Sequence, residues 1–393
     1  MDKLLRMAAL PFGPLIGLAL PMRHAMRGDD LAPVAAALLR RVRDHPDDAH
    51  GLLDGSMVLQ LIGQADAALL LQERALALQT AYTLPAATPE LVLMVILGPG
   101  ELMWNTPVEL LLEDAGVSLE LQYLTAAQPW PETVPQHDVM LVAMAESDTN
   151  RPLLLRLAET MPDWPRPVIN APDRIAALSR DSVSALLAGA DGIAMPPTWR
   201  LVREDMPTDG YPLIIRPIDS HAGRDLALLT HAGALPHYLA HVSAAEFYLS
   251  PFVDYRSADG LYRKYRIALI DGRPFISHLG ISTHWMIHYL NAGMEQSAEK
   301  RAEEEARMDD FDTGFARRHE AAIAQIHQRA GLAYLTIDCA ETADGRLLVF
   351  EIGTAMAVHA LDNPQLFPYK QPAMHKLFAA FRRMLGRRAL MRL

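Results

Sequence analysis

The sequence predicts a mixed α/β and α+β protein built from an N-terminal helical block, a parallel-sheet domain and a longer α+β region. Three observations carry that reading. Apolar residues recur at helical spacing between Leu31 and Thr80, short apolar strands alternate with helices from Leu91 onward, and "YLTIDCAETADGRLLVFEIG" places two β-rich runs around Asp344-Gly345. The parts are expected at residues 1–88, 89–175 and 176–393, the last divided into lobes of about 176–252 and 253–393. A chain of 393 residues, half of them hydrophobic and 21% charged, can bury the cores this organisation needs.

Composition narrows the partners. A net charge of -11 argues against nucleic acid, whose phosphate backbone is bound by basic surfaces, and leaves small ligands or proteins. The single cysteine, Cys339, excludes an internal disulfide framework and fits a reducing, cytoplasmic setting. The opening "MDKLLRMAALPFGPLIGLALPMRHAM" imitates a signal peptide. Pro11, Pro14 and Pro21 interrupt its apolar run, it is too short to span a bilayer, and no small-x-small cleavage site follows. It is therefore expected to pack on the body, with no membrane span.

Helices are expected over Leu31 to Arg43, Met57 to Ile62 and, after the Gly63-Gln64 turn, Ala65 to Thr80. This block resembles one degenerate tetratricopeptide-type hairpin, with the small residues Ala67 and Ala75 where paired helices would approach; no second copy of the period is visible. Next come the strand "LVLMVIL", a tight turn at Gly98-Pro99-Gly100, a helix from Thr106-Pro107 to Gly116, and the strands "VSLELQYL", "HDVMLVAMA" and "RPVIN". Near the end, a helix is expected from Pro372 to Leu385.

Two stretches carry chemistry. "LIIRPIDSHAGRD" reads as a short apolar strand ending in Arg216-Pro217, then a small polar loop around Gly223, an arrangement suited to phosphate. In the late hairpin, a two-residue Asp344-Gly345 turn sets Ala343 opposite Arg346, and counting outward sets Asp338 opposite Glu351. Their Cβ atoms would lie about 4.5–5.5 Å apart. Two carboxylates in that relation repel each other. A magnesium ion held with phosphate oxygens relieves the conflict, as does exposure of one carboxylate or its pairing with an arginine.

Between about Val168 and Gly353, six segments in order resemble an ATP-grasp ligase, the superfamily of glutathione synthetase and D-alanine:D-alanine ligase: "VINAPDRIAALSRD", "GIAMPPTWRL", "YPLIIRPIDSHAGRDLALL", "EFYLSPFVDY", "YRKYRIALIDGRPF" and "TIDCAETADGRLLVFEIG". The resemblance implies an ATP-grasp fold preceded by a pre-ATP-grasp domain, with ATP bound between two α+β lobes. It implies that Arg216 takes the place of a phosphate-contacting lysine, Arg180 the place of a second, and Ser220 to Arg224 (Ser220, His221, Gly223, Arg224) that of the mobile loop over the phosphates. Phe252 and Val253 would lie by adenine, Asp254 by the ribose, and Arg266 would face phosphates or an acyl phosphate. Asp338 and Glu351 would hold Mg2+. Only five of 36 basic residues are lysines, so arginine at both positions follows the composition. The family's asparagine two residues after the glutamate is Gly353 here, which leaves ligands for one ion.

His284 and His288, spaced as one helical turn, lack a nearby third ligand and do not predict zinc, whereas Asn291 and Gly293 are assigned to a substrate-side loop. The resemblance thus implies a carboxylate-amine ligase using ATP and magnesium. Its substrates would be a small-molecule or peptide carboxylate and an amine, and a homodimer is compatible with it. The alternative is a nucleotide-binding interaction protein that has lost turnover.

Overall fold

The computed structural model describes residues 1–113, 115–128, 130, 134–218, 220 and 223–391. The chain divides into two compact units, Met1–Ala176 with Thr354–Leu393, and Ala177–Gly353. The expected fold class is present, mixed helices and sheets with parallel pairing in the first unit and mainly antiparallel pairing in the second.

In the first unit, Pro33 opens the helix Ala32–Asp44, and the Asp48 carboxylate caps the helix Ala49–Leu61 by accepting from the Gly51 N–H at 2.9 Å. The helix Ala65–Leu78 buries Ala68, Leu71, Gln72, Ala75 and Leu76, a stripe at 3, 4, 7 and 8 residue spacing. Ala75 lies in the packed stripe as expected. Ala67 does not: it is exposed, and Ala68, one residue and about 100° further round the helix, is the buried small residue.

Strands β1 (Ala81–Leu84), β2 (Leu91–Leu97), β3 (Val117–Tyr123), β4 (Val139–Val142) and β5 (Val168–Ile169) form one sheet in the order β1-β3-β2-β4-β5. The last four are parallel, and β1 adds an antiparallel edge that the sequence did not signal. The helix expected from Thr106-Pro107 to Gly116 is a single turn, Val108–Leu111, which buries Val108, Leu110 and Leu111. The Gly98-Pro99-Gly100 turn is held by side chains. Asn105 bonds Gly98 in both directions at 2.8 Å, and the Gln72 amide oxygen accepts from the Gly100 N–H at 2.6 Å. After Gly353 the chain returns to this unit, where the helix Lys370–Ala389 packs on β4.

The opening segment is held by two acids, Asp54 buried and Glu109 half-buried. The Asp54 carboxylate, 1% exposed, accepts from the N–H groups of Ile16 and Gly17 at 3.1 Å, and Glu109 accepts from Leu18 and Ala19 at 2.7 and 3.0 Å. Burial outweighs those bonds and lifts Asp54 to about 7, with the nearby Glu109 pushing the same way. A carboxyl whose pKa rises on folding contributes most below its unfolded value and progressively loses that contribution as pH climbs through the folded value. Through this group wild type is therefore expected to lose stability from about pH 4 to about pH 7, by up to about 1.4 kcal/mol per pH unit. Asp54→Asn should show a flatter profile in urea unfolding at each pH. Parallel profiles would refute a titrating Asp54.

The second unit carries two sheets. One has the order β7-β10-β8-β9, from β7 (Trp199–Val202), β8 (Leu213–Pro217), β9 (Ala227–Leu229) and β10 (Glu246–Pro251). The other has the order β12-β11-β13-β14-β6, from β6 (Ile193–Ala194), β11 (Tyr262–Ile270), β12 (Arg273–Ser282), β13 (Tyr334–Glu341) and β14 (Leu347–Gly353). In the first sheet Leu213, Ile215, Phe247 and Leu249 turn inward to a core with Leu229 and Leu235. Side chains alternate across a strand, so Ile214 and Arg216 take the opposite face. Among the described residues no helix is long and apolar enough to cross a membrane.

Candidate functional site

The site begins with the late hairpin. Asp338 faces Glu351 as expected, but by a different route. The Thr342 N–H bonds the Arg346 carbonyl and the Gly345 N–H bonds the Thr342 carbonyl, so the loop has three residues, Ala343 to Gly345, and Ala343 does not pair with Arg346. Gly345, at φ +82°, supplies the left-handed residue such loops need. This pairs Glu341 with Leu347 and Cys339 with Val349; Phe350 is then an extra residue in a bulge, beyond which Asp338 meets Glu351. The bulge also presents the Phe350 carbonyl to Arg180, whose Nη1 donates at 3.3 Å.

Strand β11 lies on the other side of β13, with Arg266 beside Asp338. Two residues earlier and on the same face stands Lys264. Asp338 is 2% exposed, and both its oxygens are engaged: Arg266 Nε on Oδ1 at 2.8 Å, Arg266 Nη2 on Oδ2 at 3.0 Å, and Lys264 Nζ on Oδ2 at 2.6 Å. Burial would raise this carboxyl, but Arg266 and Lys264 prevail and hold it far below the usual carboxylate range. Glu351 keeps 34% of its side chain exposed and pairs with Arg180 Nη2 at 2.8 Å. Burial raises it too, and Arg180 and Arg216 bring it below its ordinary value. The repulsion expected between the carboxylates is thus met by cations on both.

Arg216, on the face of β8 away from the hydrophobic core and opposite Tyr248, is 9% exposed. Its Nη2 donates to the Ser220 carbonyl, while its Nε is buried with no hydrogen-bond partner. Burial and the neighbouring charge of Arg180 pull its pKa down to about 9, so it remains charged at neutral pH. The Ser220 hydroxyl donates to the Arg224 carbonyl and closes a small loop in which Gly223 lies against Met286; the Arg224 side chain is exposed. His221 lies outside the described residues.

Phe252 follows β10, its N–H on the Pro212 carbonyl at 3.0 Å and its ring edge-on to Trp285 at 5.8 Å; Val253 is half-buried beside it. The exposed Asp254 is held by Arg256, whose Nε lies 3.1 and 3.0 Å from the two carboxylate oxygens. The structure therefore groups Arg180, Arg216, Arg266, Asp338 and Glu351, and sets Phe252 to Asp254 toward the other end of β8.

Two members of the group were not assigned to it from sequence. Lys264 could have been found, since "KYR" puts it at strand period from Arg266. His288 lies within range of the charges on Lys264, Arg266 and Asp338. It carried no such signal, and no helix sets His284 and His288 on one face, since the segment has only the short 3-10 turn Tyr289–Asn291. Among the described residues, no three or more His, Cys, Asp or Glu side chains gather as a metal cluster.

No family model and no curated protein sequence matches the chain. Among solved structures it is similar to a D-alanine--D-alanine ligase from Bacillus anthracis complexed with ATP, at 15% identity over 75% of this chain and 99% of that one, with a TM-score of 0.45. It is also similar to a RimK domain ATP-grasp protein from Sphaerobacter thermophilus, at 16% identity over 75% and 99%, TM-score 0.44. The VanG D-Ala:D-Ser ligase from Enterococcus faecalis gives 13% identity over 76% and 99%, TM-score 0.47. Such likeness concerns the fold alone and does not bear on activity or substrate.

Proposed function

We propose that residues 177–353 bind ATP and that the protein is an ATP-grasp ligase joining a carboxylate to an amine. The observation that supports it best is the charge balance. Among the described residues, Arg180, Arg216, Lys264 and Arg266 surround two carboxylates, an excess of two positive charges, and Arg216 keeps a buried N–H without a partner. A buried unpaired donor is costly unless a ligand completes it. A bare divalent ion is disfavoured by that excess, whereas a nucleotide polyphosphate matches it.

In this reading Arg216, Arg180 and Arg266 neutralise phosphate oxygens, with Ser220, Gly223 and Arg224 beside them. Pro212 and Arg216 are four residues apart, about 13 Å along the strand. An extended nucleotide can therefore run from a base near Phe252 and Val253, with its ribose near Asp254, to phosphates at Arg216. The donor set of Asp338 and Glu351 suits one magnesium ion once phosphate oxygens share it, and that ion would supply further neutralisation of phosphate charge.

The reaction transfers the terminal phosphoryl group to a carboxylate oxygen, releasing ADP. The amine nitrogen then bonds to the acyl carbon, phosphate leaves with the former carboxylate oxygen, and the nitrogen gives up a proton. The cations hold the anionic partners together and stabilise charge that builds between them. An amino acid, small metabolite or peptide can serve as the acid. The test is to incubate purified protein with ATP, magnesium and pools of carboxylates and amines, reading ADP and products lighter by one water than their parts. The paired state of both Asp338 oxygens favours a second reading, a nucleotide-binding interaction protein without turnover. Nucleotide binding without ADP release from any pool would select it, and no nucleotide binding would reject both.

A further inference from the structure

Lys264 sits where strand β11 meets the segment that follows β12, and its ammonium is fixed between two acceptors. Nζ lies 2.6 Å from Asp338 Oδ2 and donates to the Ile287 carbonyl at 3.2 Å. Ile287 comes this close because Gly280, paired with Lys264 across β11 and β12, has no Cβ: one built there would stand 2.7 Å from the Ile287 side chain. Tyr255, donating to the Trp285 carbonyl, holds the same segment. The ammonium therefore cannot swing away from the carboxylate without breaking its bond to Ile287.

The two oxygens of Asp338 are not equivalent. Among the described residues, Oδ1 meets Arg266 Nε alone, at 2.8 Å, whereas Oδ2 meets both Arg266 Nη2, at 3.0 Å, and the ammonium. A carboxylate can serve two ions, one on each oxygen, but a cation 2.6 Å from Oδ2 occupies the space such an ion would need and repels it. Gly353 adds no side-chain oxygen for a second ion. The charge count points the same way. Arg180, Arg216, Lys264 and Arg266 exceed Asp338 and Glu351 by two positive charges. A nucleoside triphosphate brings about four negative charges, roughly two of them on its last phosphate. One divalent ion then brings the whole to neutrality, and a second overshoots it.

Resting on the ATP-dependent reading above, we infer that Lys264 is a built-in cation of the site: its ammonium takes the place of a second divalent ion on Asp338 Oδ2, and the nucleotide complex holds a single ion. Lys264 is thus a positioning residue. By filling one oxygen of Asp338 it leaves the other, with Glu351 and phosphate oxygens, for the metal. The charge is what does this, so losing it and replacing it by another cation have opposite outcomes. Lys264→Gln keeps a donor for the Ile287 carbonyl and loses the charge, whereas Lys264→Arg keeps the charge.

The full-length protein, saturated with the β,γ-imido analogue of ATP, is titrated with Mn2+, which takes the same oxygen ligands as magnesium. Free ion is read by electron paramagnetic resonance, and a protein-free titration subtracts what excess analogue binds. Wild type should hold one ion per nucleotide complex. Lys264→Gln should hold two, the second at least about tenfold more tightly than wild type would, and Lys264→Arg should return to one. Two ions in wild type or in Lys264→Arg, or one in Lys264→Gln with the analogue still bound, would overturn the inference. The wild-type and arginine counts test it even if the glutamine variant does not fold. Failure of wild type to bind the analogue would remove the nucleotide reading itself, an outcome separate from the ion count.

Discussion

Replacing Asp338 by asparagine is expected to destabilise the protein by about 3–5 kcal/mol, because it strands the charges of Lys264 and Arg266 around a neutral, buried amide. The sequence, which shows only two opposed carboxylates, suggests relief of repulsion and an unharmed fold; the cations on Asp338 reverse that sign. Glu351→Gln breaks a pair that is one-third exposed and should cost no more than about 1 kcal/mol. Both changes should abolish ATP turnover. The depressed pKa of Asp338 adds a pH signature. Its contribution is complete above the unfolded carboxylate value of about 4 and declines as pH falls toward the folded value. The gap in denaturant stability between wild type and Asp338→Asn should therefore be constant from about pH 5 to 8 and shrink below about pH 4. Equal stability of the two proteins at neutral pH would show that Lys264 and Arg266 do not depend on this carboxylate.

Arg216→Ala should weaken binding of an ATP analogue by about tenfold or more, the value of a charge-assisted hydrogen bond of about 1.5–3 kcal/mol. The lysine variant is more informative. One arm of the guanidinium holds the Ser220 carbonyl while Nε stands unpartnered in the same buried space. A single ammonium cannot serve both directions. Arg216→Lys is therefore expected to bind nearly as weakly as the alanine variant, although it retains the charge. Calorimetric titration of all three proteins checks this. Wild-type affinity in the lysine variant would mean that arginine here merely follows the composition, and wild-type affinity in the alanine variant would take Arg216 out of the nucleotide site.

The sequence by itself determined those features that depend on local periodicity. "LIIRP" is β8 from Leu213 to Pro217, "LVLMVIL" is β2, and the helix from Ala65 starts where its turn predicts, because apolar runs bounded by breakers need no distant partner to be recognised. The pairing of Asp338 with Glu351 was legible for a less secure reason. The two-residue turn assumed for Asp344-Gly345 is a three-residue loop, and the bulge at Phe350 restores the one-residue offset, so the outer pair is right while the inner pairs are not. A similar one-residue error moved the small buried position from Ala67 to Ala68, since helix phase follows from what the helix packs against. Only the tertiary structure decided what meets each carboxylate. Local spacing puts Lys264 on the face of Arg266, but only the pairing of β11 with β13 brings that face to Asp338, and Arg180 reaches Glu351 from a helix more than 150 residues earlier. His288 shows the same limit: its closeness to the charges of Lys264 and Arg266 depends on Gly280, where a Cβ would meet Ile287 and push the segment off the sheet. Charge and burial combine across the fold, and sequence distance carries no record of them.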